Sequence, residues 1–172
     1  VRKAATFAHR EGNKAGHAKA AFARAEDLYR LYLGAYAKYV KPADAAEIRF
    51  YLTDVLEQLG RHKEAAAEYK QIIDLAQSES AYKKYVKDSA AGIIYSLDAY
   101  FKDKGNKNLA KDEADELIGS IDSYLSIYPS DKDAPKLLAR AAGVLVTSNR
   151  MDEARPRLND LIAKYPKSAE AW

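Results

Sequence analysis

One apolar pairing recurs along this chain, as Leu28-x3-Tyr32, Ala65-x3-Tyr69, Leu117-x3-Ile121 and Ala154-x3-Leu158. The steps between its instances are 37, 52 and 37 residues, and twelve residues beyond each first member stand Val40, Gln77, Pro129 and Pro166, which read as helix ends. A unit of this size is one helical hairpin that cannot bury its apolar face alone, so neighbouring units must stack. Stacked hairpins present long continuous surfaces. The class of function that follows is contact with other chains, and nothing in the repeat itself names the partner.

Composition narrows the reading. The 172 residues are enough for one domain with a sizeable core. Ala, Leu, Lys, Glu, Arg and Asp dominate while β-branched residues are thin, which favours helix throughout. The absence of cysteine removes disulfides, thiolate nucleophiles and cysteine-ligated metals. No apolar run approaches the roughly 18 residues needed to cross a bilayer, so no direct membrane insertion is expected. The chain opens on Val1 without a signal-peptide pattern, and we read it as a mature or excised fragment. Net charge is +3, with nine Lys/Arg against four Asp/Glu in residues 1–45 and nineteen against twenty-one after that. A basic N-terminal end would steer acidic partners; the alternative, a solvated helix face, is the reading we favour. Along the chain Lys/Arg and Asp/Glu alternate and give no basic column for nucleic acid.

Eight helices are expected. The first, over 2–11, is ended by Gly12, Asn13 and Gly16. The second, over 17–39, carries Phe22, Ala25, Leu28, Tyr29, Tyr32, Leu33, Tyr36 and Tyr39 as one apolar stripe. Lys41-Pro42 stops it. A third helix runs over 45–59 to Gly60, a turn at Arg61-His62-Lys63 follows, and a fourth helix covers 64–77. Ser78 and Ser80 are candidate N-caps for a long helix over 81–102. The widest loop spans 103–111 with Gly105, Asn106 and Asn108. Helices over 112–128, 134–147 and 151–165 complete the chain, the last two joined at Ser148-Asn149-Arg150. The acidic run Asp112, Glu113, Asp115, Glu116 suits a helix start.

These residues resemble the tetratricopeptide repeat, W-x2-L-G-x2-Y then A-x3-F then P over about 34 residues. In the third and fourth helices Arg49 replaces the opening aromatic, Leu52 matches, Thr53 and Leu56 stand for the glycine and tyrosine, Gly60, Ala65 and Tyr69 fit, and Gln77 replaces the proline. In the last hairpin Leu138, Ala141, Ala142, Leu145, Ala154, Leu158 and Pro166 follow the pattern, and Ala169 to Trp172 looks like the opening of a further repeat. Ala65, Ala141, Ala142 and Ala154 would sit where helices cross closely. The resemblance implies an all-α fold of antiparallel hairpins stacked in a right-handed superhelix. Its organisation is one array over 1–172, with hairpins at 1–40, 43–77, 80–129 and 133–168 and a fragment at 169–172. The 52-residue step implies an eighteen-residue insertion between Gln77 and Asp112, in a lengthened helix and the following loop. Tyr128-Pro129-Ser130 and Tyr165-Pro166-Lys167-Ser168-Ala169 further resemble repeats of bacterial cell-envelope proteins, the outer-membrane assembly lipoproteins and the periplasmic partner of the Tol-Pal system. A periplasmic or envelope-associated location is the expectation from that likeness.

No catalytic constellation stands out. His9, His17 and His62 make no spaced ligand pair, and His62 reads as a turn residue. Gly12 to Lys19 lacks the Lys-Ser/Thr ending and the preceding strand of a phosphate loop. No cofactor, metal or enzymatic activity is expected. The thirteen tyrosines against four phenylalanines skew toward amphipathic aromatics, which suit either hairpin packing or a peptide groove. The resemblance implies that the first helix of each hairpin lines the concave face. Glu47, Phe50, Tyr51, Asp54 and Gln58 would line it from the third helix, Tyr95 from the fifth, and Lys136 and Arg140 from the seventh. A carboxylate clamp is not supported, because Phe50 and Asp54 occupy the comparable positions. The expected function is a non-catalytic scaffold binding a partner protein or peptide. The alternative is a structural spacer, self-associating through the terminal repeat.

Overall fold

The structure, a computed structural model, describes residues 1–14, 18–105 and 110–171. All regular structure among them is helical. The α-helices are α1 (Arg2–Lys14), α2 (Lys19–Leu33), α3 (Pro42–Gln58), α4 (His62–Ser78), α5 (Val86–Asp103), α6 (Lys111–Ile127), α7 (Ala134–Thr147) and α8 (Met151–Lys164). Short 3-10 turns cover Ala37–Tyr39, Ser80–Tyr85 and Ala169–Ala171. The chain divides into two compact units, Val1–Tyr100 and Phe101–Trp172. In the first, α1 packs on α2, α2 on α3 and α3 on α4; in the second, α6 packs on α7 and α7 on α8.

Two clusters of buried side chains stand out among the described residues of the first unit. One gathers Ala5, Ala8, Phe22, Ala25, Tyr29, Ile48, Leu52, Val55, Leu56 and Ala65, and the other Ala46, Ile72, Ala76 and Tyr82. The small residues expected at helix crossings, Ala65, Ala141, Ala142 and Ala154, are all buried.

Several sequence expectations are corrected. Gly12 does not end α1; it lies inside the helix, where a Cβ would stand 2.8 Å from the Phe22 ring. Glycine there permits close approach of α1 and α2. The second helix stops at Leu33, because Gly34 leaves the helical region and caps it (φ −97°, ψ −84°). Tyr36 and Tyr39 therefore fall outside the stripe and are exposed, while Tyr29 is fully buried. Pro42 opens α3 three residues early, with Lys41 extended before it, as proline requires. Neither Ser78 nor Ser80 caps the fifth helix: Ser78 Oγ donates back to the Leu75 carbonyl, and residues 80–85 form a 3-10 turn instead. Of the remaining expectations, those on Gly16, His17, Asn106, Asn108 and Trp172 lie outside the described residues.

The expected insertion is smaller than eighteen residues: α4 and α6 begin 49 residues apart, against 43 for α2 and α4 and 40 for α6 and α8. Part of the extra length lies in α5, which has 18 residues where α1 has 13. The rest of the long step arises because Ala65 sits near the start of its helix and Leu117 further inside its own. The better period is the sum of two steps, 89 residues. At that offset α1–α4 correspond to α5–α8: α4 and α8 begin at His62 and Met151, α3 and α7 end at Gln58 and Thr147, and α1 and α5 end at Lys14 and Asp103. The turn between helices repeats the same backbone hydrogen bonds. Gly60 has φ 73° and Asn149 φ 57°. Arg61 N donates to Leu56 O as Arg150 N does to Leu145 O, both at about 2.9 Å. Arg61 is held by Glu64 and Glu26, and Arg150 by Glu153 and Asp115, at the same sequence separations.

Candidate functional site

The residues expected to line a groove from α3 are brought together with side chains that the sequence did not single out. Helix α1 lies along α3, and His9 is the hinge of the arrangement. Its ring is 9% exposed, Nδ1 is 3.1 Å from the Tyr29 hydroxyl and Nε2 is 2.7 Å from Asp54 Oδ2. A neutral ring with its proton on Nε2 satisfies both, donating to Asp54 and accepting from Tyr29. Phe22, Tyr29 and Tyr51 surround the imidazole edge-on, with centroids 5.9–6.1 Å away.

The hydrogen bond from His9 holds the Asp54 carboxyl below its ordinary pKa, against the opposing effect of burial, and Gln58 adds a second hydrogen bond. Burial pushes the Tyr29 phenol well above its ordinary value. One turn toward the N-terminus of α3, Tyr51 donates its hydroxyl to Glu47 at 2.9 Å, a bond that raises the Tyr51 pKa because the phenol is the donor. Arg2 reaches from α1 to Asp44 at 2.6 Å and to Glu47. Glu47, Tyr51, Asp54 and Gln58 thus form one half-buried polar row along the α1–α3 seam. Their inward atoms tie two helices together; their outer edges remain open to solvent, with the Asp54 side chain about half exposed.

Phe50 points elsewhere. It stacks on Tyr85 with centroids 4.8 Å apart and meets Tyr69 edge-on, so it belongs to the second core of the unit. Tyr95 on α5 is 60% exposed and is the most open aromatic of the expected set. Lys136 and Arg140 stand on α7 in the other unit, Lys136 exposed beside Asp133 at 3.6 Å and Arg140 half-buried.

Sequence reasoning missed His9, Tyr29 and Arg2. His9 and Asp54 are 45 residues apart, and only the packing of α1 on α3 joins them. The available signal was the stripe Ala5, Ala8, His9, Gly12, which puts the histidine on the buried face of its helix. His62 is likewise no mere turn residue: it opens α4 and its Nδ1 is 2.5 Å from Glu57. Among the described residues no cluster of His, Asp or Glu has the makings of a metal site, and no helix is long and apolar enough to cross a membrane. No family model matches the chain, and no curated protein matches it.

Proposed function

We propose that this chain is a tetratricopeptide-like scaffold that binds a segment of a partner protein along the α3–α5 face of its first unit. The observation that carries the reading is the combination of a half-exposed row on α3, Glu47, Tyr51 and Asp54, with the open ring of Tyr95 on α5. Carboxylates held in place by buried partners lose little freedom on binding, and tyrosine adds contact area with a polar tip. The surface suits an extended or helical peptide carrying Lys or Arg between apolar residues. No step of chemistry is assigned to it. The proposed setting, a bacterial periplasmic assembly, rests on the sequence likeness of the Tyr128-Pro129 and Tyr165-Pro166 helix ends alone.

A photo-crosslinking amino acid placed at Tyr95, with another at Ile127 as an exposed control, tests the site in bacterial envelope extract. A discrete adduct from position 95, competed by unlabelled protein and absent at 127, is the expected result. Equal adducts at both positions, or none at 95, would remove the face from consideration.

A further inference from the structure

The correspondence at the 89-residue offset supplies a template for what covers the outer face of the last hairpin. In the first unit α5 meets α3 and α4 through three positions one turn apart, from its middle toward its C-terminal end. Gly92 lets the Tyr69 ring approach so closely that a Cβ would stand 2.6 Å from it; Ser96 donates to Glu57; and the Lys63 ammonium sits 4.8 Å above the Tyr100 ring. At the 89-residue offset, Tyr69, Glu57 and Lys63 become Leu158, Val146 and Asp152 on α7 and α8, while Gly92, Ser96 and Tyr100 become Lys3, Phe7 and Glu11 on α1.

The exchanges are concerted. The polar pair Ser96 and Glu57 becomes the apolar pair Phe7 and Val146, which are 56% and 43% exposed. The small-against-large pair Gly92 and Tyr69 becomes Lys3 and Leu158, whose aliphatic stem and shorter branch fill a similar space. Met151 and Ile162 add further exposed apolar area on α8. On α1 and α2, Phe7 borders a hollow of about 520 Å³ floored by Ala4, Ala8, Ala20 and Ala21 and rimmed by Glu11 and Arg24. Isolated exposed apolar side chains need no explanation, but two that occupy partner positions of an interface already formed once in the chain do.

We infer that the outer face of α7 and α8 receives α1 of a second copy of this chain, in the register in which α3 and α4 receive α5. The contact is heterologous: one copy offers Val146, Leu158 and Asp152, the other Phe7, Lys3 and Glu11. Only the third pair opposes it, because Glu11 would face Asp152 where the template has Lys63 and an aromatic ring. The association is therefore weak and is tightened by removing that repulsion.

Sedimentation velocity on the full chain from about 10 μM to about 1 mM, the range of weak interfaces, reads the proposal directly. The mass of the wild type is expected to rise with concentration. Phe7→Asp and Val146→Asp, both at exposed positions and each checked for an unchanged helical spectrum, should each be monomeric alone. Their mixture should form a one-to-one dimer and grow no further, since each keeps the face the other has lost. Asp152→Lys should tighten association of the wild-type faces about three- to tenfold by turning a like-charge pair into an opposite one. A monomeric wild type throughout the range, either aspartate variant associating by itself, a mixture that stays monomeric, or no tightening by Asp152→Lys would each overturn the proposal.

Discussion

The first four helices and the last four are built on one plan and differ in where they put their bulk. In the first, Gly12 on α1 leaves room for Phe22 on α2, and the ring is fully buried. In the second, the glycine position holds Phe101, also fully buried, and the phenylalanine position holds Lys111, which is exposed. By position the aromatic stands on the other helix of the hairpin, so the bulk the first half takes from α2 the second half takes from α5. The polar cluster shows the opposite behaviour. His9, Tyr29, Tyr51 and Asp54 have Asp98, Ile118, Arg140 and Gly143 at the matching places, so the histidine-centred tie exists only once. The inter-helix turn, in contrast, is kept in backbone and in ion pairing. Connections and helix-crossing alanines therefore define the hairpin, while volume and polarity between hairpins are free to move.

The sharpest way to break this comparison is at the crossed aromatic. Phe22→Ala is expected to cost about 3–5 kcal/mol, the usual loss for a buried phenylalanine, whereas Lys111→Ala at the matching place should change stability by less than about 0.5 kcal/mol. Gly12→Phe alone overpacks the site and should cost about 1–3 kcal/mol or more. If the two halves share one plan, Gly12→Phe combined with Phe22→Lys will be distinctly less destabilising than the sum of the single changes. Urea denaturation of the four proteins measures the coupling, and strict additivity would end the comparison at this pair.

Next in size is a contrast between two helical glycines. A Cβ at Gly92 would meet the Tyr69 ring, so Gly92→Ala should lose about 1–3 kcal/mol, while Gly143 has open space around it and Gly143→Ala should gain about 0.5–1 kcal/mol from helix propensity. Thermal melts of the two variants should move in opposite directions. Melts that move together would show that Gly92 is not needed for the approach of α5.

What was legible in the sequence was what recurs locally. Apolar periodicity marks eight helices, Gly60, Pro129 and Pro166 mark the ends of α3, α6 and α8, and the four small residues Ala65, Ala141, Ala142 and Ala154 are buried. Gly34 was overlooked inside an otherwise perfect stripe, because the tyrosines beyond it kept helical spacing with no face left to bury. Gly12 reads as a stop in the sequence because its reason is tertiary, a ring from another helix. The long-range pairs were illegible for the same cause: nothing near His9 announces Asp54, and the true 89-residue period was concealed by hits that occupy different places in their helices. Of the site residues, Glu47, Tyr51, Asp54 and Gln58 do form one row, yet the sequence presented them as free groove side chains when their inner atoms bind α1.

Within the shared turn the comparison can be sharpened by exchange. Gly60 and Asn149 both hold the left-handed conformation, which glycine adopts freely and asparagine tolerates. Gly60→Asn should therefore cost no more than about 0.5 kcal/mol, and Gly60→Ala about 1 kcal/mol, as measured by chemical denaturation. Equal losses for the two variants would mean that the turn of the first half is held by something other than its backbone angle.

The smallest effect concerns the cluster that the second half lacks. Asp54→Asn keeps the shape and an acceptor for the His9 ring but removes the charge. A hydrogen bond to an ion is worth about 1.5–3 kcal/mol when buried. The Asp54 side chain is about half exposed, so solvent screening reduces the expected loss to about 0.5–1 kcal/mol at neutral pH. The pH dependence carries the decisive sign. Hydrogen bonding to His9 lowers the folded-state pKa of Asp54 below its ordinary value of about 4. The extra stability is then fully present above that ordinary value and is lost as pH falls through the lower, folded-state one. Wild type and Asp54→Asn should differ at pH 6 and converge in the acid range, while Gly143→Ala, at the matching place in the second half, should keep its advantage across both conditions. A wild-type margin that persists undiminished in acid would show that Asp54 acts through shape alone, and the two halves would then differ in packing but not in electrostatics.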